Sequence, residues 1–170
     1  MNPIKDWLKP NKEGFTPLQQ AAYNGHLDQV PVELLTKENM LLPDKEGFTP
    51  LQWAAIKVQL DQVPVEILTK ENILLPDKYG NTPLHWAAIK GHLDQVPVEI
   101  LTKENMLVPN KNGNTPLHWA AIKGHLDQVP ISTLAELQKS GHLADYDTSS
   151  MGKKIVDYLT SHEPYDPFDL

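Results

Sequence analysis

The dipeptide Thr-Pro recurs at Thr16, Thr49, Thr82 and Thr115, in steps of 33 residues, and the text around it is copied almost letter for letter. The most complete copy reads DKYGNTPLHWAAIKGHLDQVPVEILTKENMLVP, from Asp77 to Pro109. This period restricts the fold more than any other feature of the chain. A unit of that length cannot bury two apolar faces alone, so successive units must stack into a continuous core. The 170 residues then read as one short array.

Elementary propensities build the unit. Thr82 is placed to cap a helix with its hydroxyl, and Pro83 suits the first helical position, where no N–H is required. Leu84, Ala87 and Ala88 fall at i, i+3 and i+4 and form an apolar stripe, with small alanines that let the next unit approach closely. Gly91 supplies a left-handed C-cap that turns the chain back. Leu93, Val96, Ile100 and Leu101 continue at helical spacing as a second layer. The period and the string Thr-Pro-Leu-His-x-Ala resemble the ankyrin-repeat family. The resemblance covers four units between roughly Pro10 and Val129. It implies an all-α fold, an ankyrin-repeat solenoid of about four helix-pair repeats with N- and C-terminal caps.

The sequence departs from that pattern in three places. Pro31, Pro64, Pro97 and Pro130 interrupt the outer helix, because proline removes a helix hydrogen bond and biases its predecessor away from helical angles. The expectation is a turn over residues 92–96, a separate short helix beginning at Pro97, and a further turn capped by Thr102. The segment KENMLVP replaces the usual Gly-Ala-Asp connection. Val58 and Gln59 occupy the glycine and histidine positions of the second unit, so a left-handed turn there burdens valine with roughly 1–2 kcal/mol.

The ends read as caps. Residues 1–10 form an N-terminal capping helix whose Ile4, Trp7 and Leu8 cover the first unit. Residues 11–130 hold four repeats, and residues 131–162 a C-terminal cap. That cap has a helix starting at Ser132 or Thr133 and stopping near Gly141, then a degenerate half-repeat at residues 152–159. Residues 163–170 form a loose acidic and aromatic tail.

Composition removes several functions. No cysteine is present, which excludes disulfides, thiolate metal sites and a cysteine nucleophile. The net charge is −7, and all 15 basic residues are lysines. Without arginine's bidentate fork, an acidic chain is a poor nucleic-acid binder. No apolar run approaches the ~18 residues of a membrane span, and the amino terminus lacks a signal-peptide pattern. These features point to a cytoplasmic protein; secretion by a non-standard route stays open. Of the seven histidines, His26, His85, His92, His118 and His125 recur with the repeat, and equivalent positions stand ~8–10 Å apart, too far to share one zinc ion with nitrogens at ~2.1 Å. His85 and His118 therefore read as structural, with Gln19 and Gln52 as their substitutes. No nucleophile elbow or phosphate loop occurs. The chain is expected to be no enzyme, with no catalytic residue, cofactor or metal.

The function that remains is a scaffold for protein–protein interaction. The resemblance implies binding on the concave face formed by the first helices and hairpin tips. By position this selects Phe15, Tyr23, Phe48, Ile56, Lys57, Tyr79, Trp86, Ile89, Lys90, Asn114, Trp119, Ile122 and Lys123 as partner-binding residues, with Trp53 on the same helices. Lysine ladders at Lys12/45/78/111 and Lys57/90/123 suggest a partner protein or peptide with an acidic segment. Two plainer readings stand beside this one: Phe15 and Phe48 pack on neighbouring hairpins, and the charges are a solvated pattern copied by duplication. The alternative function is a regulatory or targeting domain associated with an enzyme encoded elsewhere, against which the two caps argue. A monomer is expected, with self-association through the acidic tail as a further option.

Overall fold

The computed structural model describes residues 6–144 and 146. Eight α-helices and no strand occur among them: α1 (Pro17–Asn24), α2 (Lys37–Met40), α3 (Pro50–Ile56), α4 (Lys70–Ile73), α5 (Pro83–Lys90), α6 (Lys103–Met106), α7 (Pro116–Lys123) and α8 (Ile131–Lys139). The longer helices α1, α3, α5 and α7 pack on one another in order and form the inner layer.

Each inner helix starts in the same way. Thr16, Thr49, Thr82 and Thr115 have extended backbone, accept the N–H three residues on, and are followed by proline. Gln19, Gln52, His85 and His118 reach back to the threonine N–H and complete a capping box. One leucine per helix (Leu18, Leu51, Leu84, Leu117) is almost wholly buried, as are Ala22, Ala54, Ala55, Ala87, Ala88 and Ala120. A fully buried leucine contributes ~1.5–3 kcal/mol, and the alanines keep the helix axes close.

The outer layer is interrupted at the proline, as expected. The chain makes a 3-10 turn over Leu93–Gln95 and then, capped by Pro97, a short helix over Val98–Ile100 that is 3-10 and not α. The first and second repeats do the same. The reason is length: after Pro97 only three residues pass before Asn105 Nδ2 donates to the Ile100 carbonyl at 2.7 Å and closes the turn. Thr102 then caps α6, as its sequence position indicates. Leu93, Val96, Ile100 and Leu101 are all buried, so the second apolar layer exists without a continuous helix.

The final helix, α8, also corrects a detail. It starts after Pro130 with no side-chain cap, and the Thr133 hydroxyl donates to the Leu101 carbonyl at 2.7 Å. Gly141, just beyond its end, has φ +77°. At the other end Trp7 and Leu8 pack against the core. Ile4, the degenerate half-repeat at residues 152–159 and the tail at 163–170 lie outside the described residues.

Candidate functional site

The hairpins between repeats are built on one acidic or amide side chain. Asp44, Asp77 and Asn110 each accept the N–H groups two and four residues on through Oδ1. This holds the tip residues Phe48, Asn81 and Asn114 in register. The second carboxylate oxygen reaches under the inner helix: Trp53 Nε1 donates to Asp44 at 2.9 Å, and Trp86 Nε1 to Asp77 at 3.1 Å. Asn110 turns its amide Nδ2 to Asn81 Oδ1 at 2.7 Å instead. Trp119 Nε1 consequently has no partner among the described residues.

Trp53, so anchored, lines an aromatic cleft over the first three repeats. Trp53 meets Tyr23 edge-on at 4.7 Å between ring centroids and Phe48 at 4.8 Å. Phe48 also reaches Trp86 at 6.4 Å, so it packs both within its own repeat and against the next. Phe15 and Tyr79 close the ends of a cleft of about 520 Å³, with Glu13, Glu46 and Lys78 on its rim. Tyr23 and Tyr79 keep about half their surface in water (47% and 53%). Four of the residues selected from sequence (Phe15, Tyr23, Phe48 and Tyr79) thus come together.

The others divide. Lys57 Nζ stands 5.0 Å from the Tyr23 ring centroid, on the cleft's edge. Ile56 and Ile89 are half-buried, while Lys90, Ile122 and Lys123 are exposed along the same face. Asn114 serves the fold, its carbonyl bonding His85 Nε2 at 3.1 Å. Trp86 and Trp119 are partly buried against the core.

The hairpin lysines are less free than their spacing suggests. Lys45 lies against Gly14, in the space a Cβ would occupy. Lys78 Nζ bonds Glu46 Oε2 at 2.9 Å, which holds the Glu46 carboxyl below the usual carboxylate range. Lys111 Nζ donates to the Lys78 carbonyl at 2.6 Å. Each lysine leans back onto the preceding tip and ties the hairpins together. Sequence reasoning missed this, and it also missed Gln128, whose side chain clamps two repeats by donating to Gly91 O (2.7 Å) and accepting Leu93 N–H (2.9 Å). The invariant Leu-Asp-Gln at residues 27–29, 60–62, 93–95 and 126–128 was the available signal.

The two histidines of the helix-start motif serve the fold. His85 and His118 accept the capping threonine N–H through Nδ1, and burial holds the His85 imidazole below the usual histidine range. His92 is 2% exposed, and its ring nitrogens make no well-formed hydrogen bond and face only the Ala55 and Lys90 backbone. Among the described residues no group of three or more His, Asp or Glu side chains could hold a metal ion, and no helix is long and apolar enough to cross a membrane.

An inner layer of capped helices, an outer layer of turns and projecting hairpins define a repeat protein of the helical-solenoid class. The family model for ankyrin repeats in three copies matches residues 3–65 and again 62–140. The chain belongs to the ankyrin-repeat family, whose repeats are generally protein–protein interaction modules. No curated protein matches the chain.

Proposed function

We propose that this chain is a non-catalytic scaffold that holds a protein or peptide along its concave face, with the aromatic cleft of repeats 1–3 as the anchor. The observation that carries the reading is the half-exposed pair Tyr23 and Tyr79 flanking Phe48 and Trp53 in one cleft. Large aromatics held by packing and left partly in water are what interface anchors require, since they add contact area with little loss of side-chain freedom. The cleft takes an apolar or aromatic side chain of the partner. Lys90 and Lys123, exposed on the same face of the later repeats, take its acidic residues, and their contribution weakens with salt.

A peptide-display selection against the immobilised chain, followed by titration of the enriched peptides, tests this. The expected consensus is an apolar anchor followed by Asp or Glu, with affinity falling about tenfold or more in a Phe48→Ala/Tyr79→Ala variant. Lys90→Glu/Lys123→Glu should weaken binding mainly at low ionic strength. Enriched peptides that bind the Phe48→Ala/Tyr79→Ala variant unchanged would move the site off the cleft.

A further inference from the structure

The opposite, outer face has a surface chemistry of its own. Val32, Val65 and Val98 are 70%, 72% and 66% exposed, the most exposed large apolar side chains of the first three repeats. Each follows the proline of its repeat and sits in the second 3-10 turn, so the three form a ladder with the step of the array. Asp28, Glu33, Asp61, Glu66, Asp94, Glu99 and Asp127 are all exposed in the same turns. No lysine occurs at residues 26–35, 59–68, 92–101 or 125–138, and the nearest in sequence, Lys37, Lys70 and Lys103, open the helices that follow, so carboxylates outnumber cations on this face. Between the third and fourth repeats the ladder opens into a groove of about 540 Å³. Val96 and Leu101 floor it, Val98 and Ile131 wall it, and Asp94 and Asp127 stand at its rim.

We propose that this outer face is a second docking surface, for a basic polyproline-type segment of a partner with an apolar residue at every third position. Two constraints select that occupant. The valines and the groove call for apolar groups, and the exposed carboxylates call for lysine or arginine between them. Equivalent points on adjacent repeats stand ~8–10 Å apart. Three residues of polyproline-type chain advance ~9 Å and complete one turn, so every third side chain returns to the same side and meets the next valine. The acidic face excludes nucleic acid and anionic lipid, which it repels. This surface is independent of the concave cleft, and the scaffold gains a face of opposite charge preference.

The test uses three labelled synthetic peptides: leucine at every third position with lysine between, the same composition with leucines clustered at one end, and serine in place of every leucine. Their binding is followed by fluorescence anisotropy, and the site by amide chemical shifts of the whole chain. The expected result is binding of the first peptide about tenfold or more above the other two, weakened by salt. Shifts should centre on Val65, Val98 and Glu99. Val65→Ser/Val98→Ser should remove the preference without altering the circular dichroism, because both side chains are in water. Glu66→Lys/Glu99→Lys should abolish binding, and Phe48→Ala/Tyr79→Ala should leave it unchanged. Equal binding of the serine peptide reduces the face to non-specific charge and overturns the proposal. Loss in the Phe48→Ala/Tyr79→Ala variant assigns the peptide to the concave cleft and also overturns it. Concentration-dependent self-association relieved by Val65→Ser/Val98→Ser would identify the occupant as a second copy, overturning the basic segment.

Discussion

The junction between repeats 2 and 3 and the junction between repeats 3 and 4 have the same architecture and nearly the same text, yet they are not equally well made. At the second of them Gly91 turns left-handed at φ +76°, and the His125 ring occupies the space beside it. A Cβ on Gly91 would stand 2.5 Å from that imidazole. Gln128 then bonds both Gly91 and Leu93 across the interface. At the first junction the left-handed position is Val58, the one described non-glycine residue with positive φ, at +62°. By the repeat register, His92 stands to Val58 as His125 does to Gly91, but there a side chain already fills the space. His92 is buried there with only the Ala55 and Lys90 backbone beside its ring nitrogens and no well-formed hydrogen bond. Gln95 bonds only Leu60 N–H, at 3.1 Å. A valine in place of a glycine separates a junction that Gln128 clamps with two hydrogen bonds from one that Gln95 holds with one.

The strongest way to break this comparison is to make the good junction resemble the poor one. Gly91→Val should cost about 2–4 kcal/mol, combining left-handed strain with overlap on His125, read as a lowered urea midpoint at unchanged slope. A loss under about 1 kcal/mol would mean that the glycine is not what makes the junction. The reverse change, Val58→Gly, should stabilise by about 1–2 kcal/mol and raise the melting temperature; an unchanged or lower value would show that the turn tolerates valine. Next in size is the tryptophan row. Asn110→Asp should supply Trp119 Nε1 with the carboxylate that Trp53 and Trp86 already have, gaining about 1 kcal/mol, while Asn81 reverses its amide to keep the hairpin bond. A loss of stability would show that the Asn110–Asn81 pair matters more than the indole.

The smallest effect sharpens the account of His92. Burial, against the opposing pull of the Ala55 and Lys90 backbone and of Asp94 and Asp61, holds its imidazole below 6.5. The folded chain therefore binds fewer protons than the unfolded chain over the interval just below pH 6.5, and stability falls as pH drops through it. His85 acts in the same direction. His92→Gln, the residue found at the equivalent position 59, should flatten that fall when urea midpoints at pH 7.5 and 5.5 are compared. An undiminished slope would assign the acid sensitivity to His85 or to the carboxylates.

Much of the fold was legible because it is local. Thr-Pro at an N-cap, Leu and two Ala at helical spacing, and a closing glycine decide an inner helix without reference to distant residues, and the 33-residue step decides that such helices stack. The left-handed turn at Val58 followed from alignment of the repeats. The outer layer was less legible: Pro97 signalled an interruption, but whether a helix or a 3-10 turn followed depended on the Asn105 amide reaching back to Ile100. Of the candidate site, the aromatics at 15, 23, 48 and 79 were found by position, whereas the roles of Asn114 and the hairpin lysines were not. Their spacing suited a free basic ladder equally well.

The sequence by itself determined the repeat, its period, the helix starts and which side chains are buried, since these depend on backbone preference and on contacts that recur in every unit. Only the tertiary structure decided how neighbouring units engage: which lysine is tied to the preceding hairpin, which tryptophan finds a carboxylate, and which histidine is buried at a crowded junction. Those outcomes depend on distances across an interface between residues about 33 positions apart, where one Cβ or one amide in place of a carboxylate changes the hydrogen bonding without disturbing the period.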